Sequence, residues 1–287
     1  MAATLDGLKR GAGSAQSDLR NESSALSSVY RRAGVSSLDG GRAGEAELEL
    51  REALRLQPAD PKILNLLGLA LWEQGRVEEA QPFFEQAVSI DPSDAAIWNN
   101  VGRSRWQQGR LEEAIACYLH SLEIEPNGAD ATLNLGAALS DLWRFDEALA
   151  CFAAARRLAP DSPDVLQNIA TLFARQGRFE LALDLYEEAL RLRPDYAEIH
   201  RNRAAIWLNL GNFEQGWPEY EWRLNCPGHP GIVVSRPFWR GEDLRGRVLL
   251  LDFEAGLGDT LQFIRFAPLL KQRGASVMAL CQTPLLR

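Results

Sequence analysis

The sequence predicts a mainly α-helical chain: a right-handed superhelix of helical hairpins, an α-solenoid, followed by the start of a parallel β-α-β segment. Three observations predict it. From Pro61 the residues fall into rows of 34 without insertion, starting at Pro61, Ala95, Ala129, Pro163 and Ala197. Within the rows, small residues, one aromatic and one proline return to fixed columns. After residue 245 the pattern gives way to an apolar run, a glycine-rich loop and a further amphipathic stretch. A fixed period of about 20–50 residues marks an architecture in which each unit buries its apolar face only against its neighbours.

Each column has a physical cause. Column 8 holds Gly68, Gly102, Gly136, Ala170 and Ala204, and column 20 holds Ala80, Ala114, Ala148, Ala182 and Gly216. Small residues there, and at column 27, let two antiparallel helices approach closely. Column 24 is aromatic (Phe84, Tyr118, Phe152, Tyr186, Tyr220) and is expected to fill the space between helix pairs. Gly75, Gly109, Gly177 and Gly211 at column 15 permit the left-handed geometry that ends a first helix. Row three has Trp143 there, which predicts a lengthened, aromatic-filled turn. Pro92, Pro126, Pro160 and Pro194 at column 32 end the second helix, because the residue before proline is driven out of the helical region.

A weaker row runs from Ser27, with Gly34, Ala46, Leu50, Ala53 and Pro58 in the matching columns. The units are therefore 27–60, 61–94, 95–128, 129–162, 163–196 and 197–228. The first lacks bulky apolar residues in "VYRRAGVSSLDG" and is expected to fray. Residues 1–26, rich in Ser, Ala and Gly, are expected to be disordered. Five rows in register resemble the tetratricopeptide repeat (TPR), a resemblance that implies a protein- or peptide-binding scaffold.

Composition narrows the function. The net charge is −8, and no basic stripe offers itself to phosphates, which argues against nucleic acid. Apolar runs fall far short of the ~20 residues a membrane span requires, and the N-terminus has no apolar signal core. Cys117, Cys151, Cys226 and Cys281 lie far apart, and Cys117 and Cys151 share a column in successive repeats. Reduced thiols in a cytoplasmic protein are the expectation. His120, His200 and His229 have no ligand spacing, so neither a metal nor a cofactor is expected.

The expected partner is a protein or an extended peptide lying along the first helices, which line the concave side of such a superhelix. Column 6 there reads Leu66, Asn100, Asn134, Asn168 and Asn202. A side-chain amide both donates and accepts, so a ladder of four can pair with a peptide backbone. The superhelix of O-linked N-acetylglucosamine transferases is similar in carrying such a ladder. The alternative is that these amides serve helix–helix bonding. Trp72 and Trp106 share column 12 and are either ligand anchors or packing residues. Glu78, Glu79, Glu112, Glu113, Asp146 and Glu147 open the second helices, where carboxylates favour the helix dipole.

The repeat breaks down near "EQGWPEYEWRLNCPGHPG", and residues 229–245 read as a linker. Val248 to Phe253 suits a strand buried on both faces, Asp259 to Arg273 a helix kinked or ended in its first part by Pro268, and Ser276 to Cys281 a second strand. The order is Rossmann-like. The loop "EAGLGD" lets the backbone approach an anion at the helix start, or is a tight βα turn with Asp259 as N-cap.

Trp239, Gly241, Glu254, Gly256 to Phe263, Arg265, Pro268 and Arg273 to Ala275 resemble the start of the glycosyltransferase-like domain that follows TPR arrays in a group of bacterial proteins. Ala255 departs from that group's glutamine. The domain is similar to the two-lobed (GT-B) heptosyltransferases. The resemblance implies metal-free, inverting glycosyl transfer with Asp259 as general base and Glu254, Gly256, Gly258 and Thr260 on the nucleotide-sugar loop. Residues 246–287 would supply only the front of the first lobe, so the expectation is a truncated, catalytically incompetent transferase, with nucleotide-sugar bound only in a longer form. The alternative is an interaction adaptor whose β-α-β segment caps the solenoid.

Overall fold

The computed structural model describes residues 22–226, 239, 241–251 and 264–280. The chain divides at Tyr220 into two units. In the first, the described residues form twelve helices in six hairpins. They are α1 (22–39), α2 (Ala43–Leu56), α3 (Pro61–Glu73), α4 (Val77–Ile90), α5 (Ala95–Gln107), α6 (Leu111–Ile124), α7 (Ala129–Asp141), α8 (Phe145–Leu158), α9 (Pro163–Arg175), α10 (Phe179–Leu192), α11 (Ala197–Asn209) and α12 (Phe213–Tyr220). Each hairpin packs on the next, and successive first helices also touch, α3 with α5 through to α9 with α11. The result is a mainly helical solenoid.

The helix boundaries follow from the column residues. Asp60 and Asp94 cap α3 and α5 by accepting from two backbone N–H groups each, and Ser162 caps α9. The residues before the column-32 prolines, Asp91, Glu125, Ala159 and Arg193, have φ between −125° and −137° and end the second helices. Gly75, Gly109, Gly177 and Gly211 have φ of 74–78°, and Trp143 adopts the same left-handed geometry at 61°. The α7–α8 connection is no longer than the α3–α4 or α5–α6 connection. The expected lengthened turn is thus absent. Trp143 simply takes the glycine conformation, and its ring is 73% exposed, tilted against Phe145 at 5.5 Å.

Phe84, Tyr118, Phe152 and Tyr186 are fully buried. A β-carbon built on Gly68, Gly102 or Gly136 would come within 2.5–2.6 Å of the ring in its own hairpin. The column-24 aromatic thus lies against the first helix of its own pair and shares a buried cluster with the first helix of the next, Tyr118 with Leu135 and Leu139, and Tyr186 with Ile199 and Ile206. Buried residues run on across units: Tyr118, Leu135, Leu139, Phe152, Val165 and Leu172 belong to one cluster.

The first unit departs from expectation. Residues 22–26 are helical and α1 is packed, not frayed. Ser27 is fully buried and donates to the Ala53 carbonyl at 3.0 Å, while Gly34 abuts Leu50. Small polar side chains do here what bulky apolar ones do elsewhere, so hydrophobicity alone does not reveal the helix.

After a 3-10 turn (Glu221–Asn225), the second unit contains β1 (Val248–Leu251), a 3-10 turn (Ile264–Phe266), α13 (Ala267–Gln272) and β2 (Ser276–Ala279). The strands pair in parallel, Val248 opposite Ser276. Pro268 sits in the first turn of α13, where its missing N–H costs nothing. Val248 is 66% exposed and Leu250 is also exposed, so β1 is not buried on both faces as expected. The expected linker and the ends of both predicted strands lie largely outside the described residues.

Candidate functional site

The first helices carry the candidate residues at equivalent points, half-buried. Asn100 Nδ2 donates to Asn65 Oδ1 at 2.9 Å, and Asn134 Nδ2 to Asn99 Oδ1 at 3.0 Å. Both bonds run from column 6 to column 5 of the preceding repeat. Column 5 of the next repeat is Leu133, which offers no amide, and Asn168 instead donates to the Asp164 carbonyl of its own helix at 2.8 Å. Asn202 Oδ1 accepts from Arg201 Nη2 at 3.4 Å, within its own helix. The row is thus registered between repeats at Asn100 and Asn134 and bonded within its own helix at Asn168 and Asn202.

The two tryptophans are half-buried and packed. Trp72 joins the cluster of Leu67, Leu71 and Phe84, and Trp106 joins that of Leu135 and Leu139. Trp106 Nε1 donates to Asp141 Oδ2 at 2.7 Å, and Arg175 Nη1 donates to Asp141 Oδ1 at 2.7 Å and to Ser140 Oγ at 3.2 Å. One carboxylate therefore ties three consecutive repeats. The Arg103 guanidinium lies over the Trp72 ring, 4.0 Å from its centroid. Its hydrogen bond is a long one, 3.5 Å to Asn100 Oδ1. Burial lowers the Arg103 pKa, against the charges of Glu73 and Asp130, which act through space. Burial also pushes the Tyr118 hydroxyl well above the usual phenol range. Sequence reasoning missed Arg103, Asp141 and Arg175. The available signal was an acid one column beyond a tryptophan in the next row.

The acidic residues at the second-helix starts have a further role. Glu79, Glu113 and Glu147 each clasp the arginine three residues earlier: Arg76, Arg110 and Arg144. Arg76 Nη1 also reaches Glu47 of the preceding repeat at 2.7 Å. Burial pushes the Glu47 carboxyl up, but hydrogen bonds from Gln74 and Arg51 and the charges of Arg76 and Arg51 outweigh it and hold the pKa below the ordinary value. Cys117 and Cys151 are free thiols whose pKa burial raises. Among the described residues, no three His, Cys, Asp or Glu side chains converge to hold a metal ion, and no helix is long and apolar enough to cross a membrane. Glu254, Gly256, Gly258, Asp259 and Thr260 lie outside the described residues.

Family models described as tetratricopeptide repeat match residues 31–95 and 128–195, and one described as TPR repeat matches 102–142. The chain is a tetratricopeptide repeat protein. No curated protein matches the TPR chain in sequence. Among solved structures it is similar to PilF of Pseudomonas aeruginosa, at 20% identity and TM-score 0.56, over 73% of this chain and 94% of that one. It is also similar to a thermophilic TPR protein of Thermus thermophilus, at 24% identity and TM-score 0.57, over 63% and 99%. PilW, described as a widely conserved type IV pilus biogenesis factor, matches at 22% identity and TM-score 0.60, over 70% and 92%. At these identities the likeness is one of fold.

Proposed function

We propose that this TPR protein holds an extended polypeptide along the first-helix face of repeats three to six. The observation that carries the reading is the pair of inter-repeat amide bonds, Asn100–Asn65 and Asn134–Asn99. Each spends one N–H on the neighbour and fixes the amide plane, which orients the Asn134 carbonyl oxygen toward a peptide N–H. Free thiols accord with a reducing compartment, the cytoplasm. The test compares Asn134→Ala with Asn99→Ala on binding of an extended peptide selected from an array. Both variants break the inter-repeat bond, but only the first removes the proposed peptide contact. Loss of affinity in Asn134→Ala alone supports the reading; equal loss in both returns the amides to a structural role.

A second reading concerns the terminal unit. The parallel pairing of β1 and β2 around α13 is the β-α-β order expected for the front of a glycosyltransferase-like lobe. We infer that this segment contributes to a nucleotide-sugar site, with Asp259 as its base. Thermal shift with nucleoside diphosphates tests binding by the chain: ligand at 100 times its dissociation constant adds about 2.7 kcal/mol. No shift removes the binding claim for this chain.

A further inference from the structure

Among the described residues, each end of the helical array presents one uncovered half of the same joint. Inside the array, column 3 of every first helix is sealed by the second helix before it: Ile63, Ile97, Ala131, Val165 and Ile199 are buried. Column 10 is buried likewise, from Ala70 to Ile206. In α1 these columns hold Val29, 51% exposed, and Ser36, also exposed. On the other side of the joint, columns 17 and 21 are buried or half-buried in α4, α6, α8 and α10. In α12 they hold Phe213 and Trp217, each 57% exposed.

The last internal joint shows how the halves fit. Phe179, Leu183 and Tyr186 of α10 pack in one cluster with Ile199 and Ile206 of α11. Phe213, Trp217 and Tyr220 occupy the same three columns on α12, and their rings are already ordered against one another. Phe213 and Trp217 stack with centroids 6.5 Å apart, and Trp217 stands edge-on to Tyr220 at 6.2 Å. The two ends are also matched in size. Trp217 is larger than Leu183 in its column, and Ser36 is smaller than Ile206 in its own, so bulk added at one end is offset by bulk removed at the other. A hairpin that merely closes an array carries a polar outer face. Here α12 exposes stacked aromatics, the side chains that anchor protein contacts.

We propose that a second copy of this chain covers α12: the Phe213–Trp217–Tyr220 face of one copy packs on the Val29–Ser36 face of α1 in the next, continuing the α10–α11 joint between molecules. The occupant is a second copy because the missing half of the joint lies at the other end of the same chain. The contact is heterologous and advances the array at each step, so every added copy leaves an end open and association goes past two.

The experiment follows the full chain by sedimentation velocity at rising concentration. Its weight-average mass should climb beyond that of a dimer. Trp217→Glu and Val29→Glu each place a carboxylate inside the joint, should weaken association at least about tenfold, and should each sediment alone as a monomer. Mixed in equal amounts, the two variants should form a dimer and nothing larger, because one intact α12 face and one intact α1 face remain to meet. A wild-type chain that stays monomeric would overturn the proposal. A dimer that survives in either single variant would also overturn it, since like ends would then be in contact, and so would a mixture that stays monomeric. Circular dichroism melting checks that each variant folds; if Val29→Glu does not, Ser36→Glu takes its place on the same face.

Discussion

Gly136 and Phe152 are in contact so close that a β-carbon on the glycine would fall 2.6 Å from Cε1 of the ring. The ring is fully buried and cannot retreat into solvent. Gly136→Ala gains helix propensity of about 1 kcal/mol but meets an overpacking cost of about 1–3 kcal/mol. Net destabilisation of about 1 kcal/mol is expected in urea unfolding. Repeat five, with Ala170 facing Tyr186, shows that a hairpin built around the methyl accommodates it. The loss should therefore shrink in the Phe152→Leu background; a loss of the same size there would locate the strain elsewhere.

Trp143→Gly should stabilise the protein. A bulky residue in the left-handed region costs about 1–2 kcal/mol, against about 0.5–1 kcal/mol of extra chain entropy for glycine. A gain of about 0.5–1 kcal/mol is expected, read as a melting-temperature rise of about 1–3 °C. A fall would show that the Trp143–Phe145 ring contact holds the turn.

Glu47→Gln should destabilise at neutral pH and do so less as the solution is acidified. The folded-state pKa of Glu47 lies below its unfolded value. Its contribution is therefore present above the unfolded pKa, about 4.3, and is lost as pH falls through the folded pKa. Melting temperatures from pH 7 to pH 3 should converge. A gap constant over that range would assign the effect to packing and not to charge.

Asp141→Asn keeps the shape but replaces one acceptor oxygen with a donor. Either Trp106 Nε1 or Arg175 must then face an N–H. A cost of about 1–2 kcal/mol is expected, coupled to Arg175→Gln in a double-mutant cycle. Zero coupling would reduce the Arg175–Asp141 contact to a screened surface pair.

The solenoid is legible because its determinants are steric and recur at one spacing. Gly68 against Phe84, Gly75 in its turn and Pro92 at its helix end each act within one hairpin, so a single row shows the cause and the next rows repeat it. The polar links are harder to read, because they join different columns. Trp106 meets Asp141 and Asn134 meets Asn99 at a separation of 35 residues, one more than the period. Looking down a column cannot reveal such pairs. Helix α1 escapes notice because Ser27 and Gly34 pack through size and hydrogen bonding, which hydropathy does not register. Trp143 misleads because its column suggests either glycine or a different loop, whereas the backbone tolerates the strain.

The bond between Trp106 and Asp141 also bears on how the gene can change. Removing residues 129–162, one whole period, would leave the helical register undisturbed yet set the Trp106 indole opposite Arg175, donor against donor. Shuffling of whole modules, the easiest route by which tandem arrays lengthen or shorten, is thereby penalised at this junction, and the order of the central modules is locked in by their chemistry.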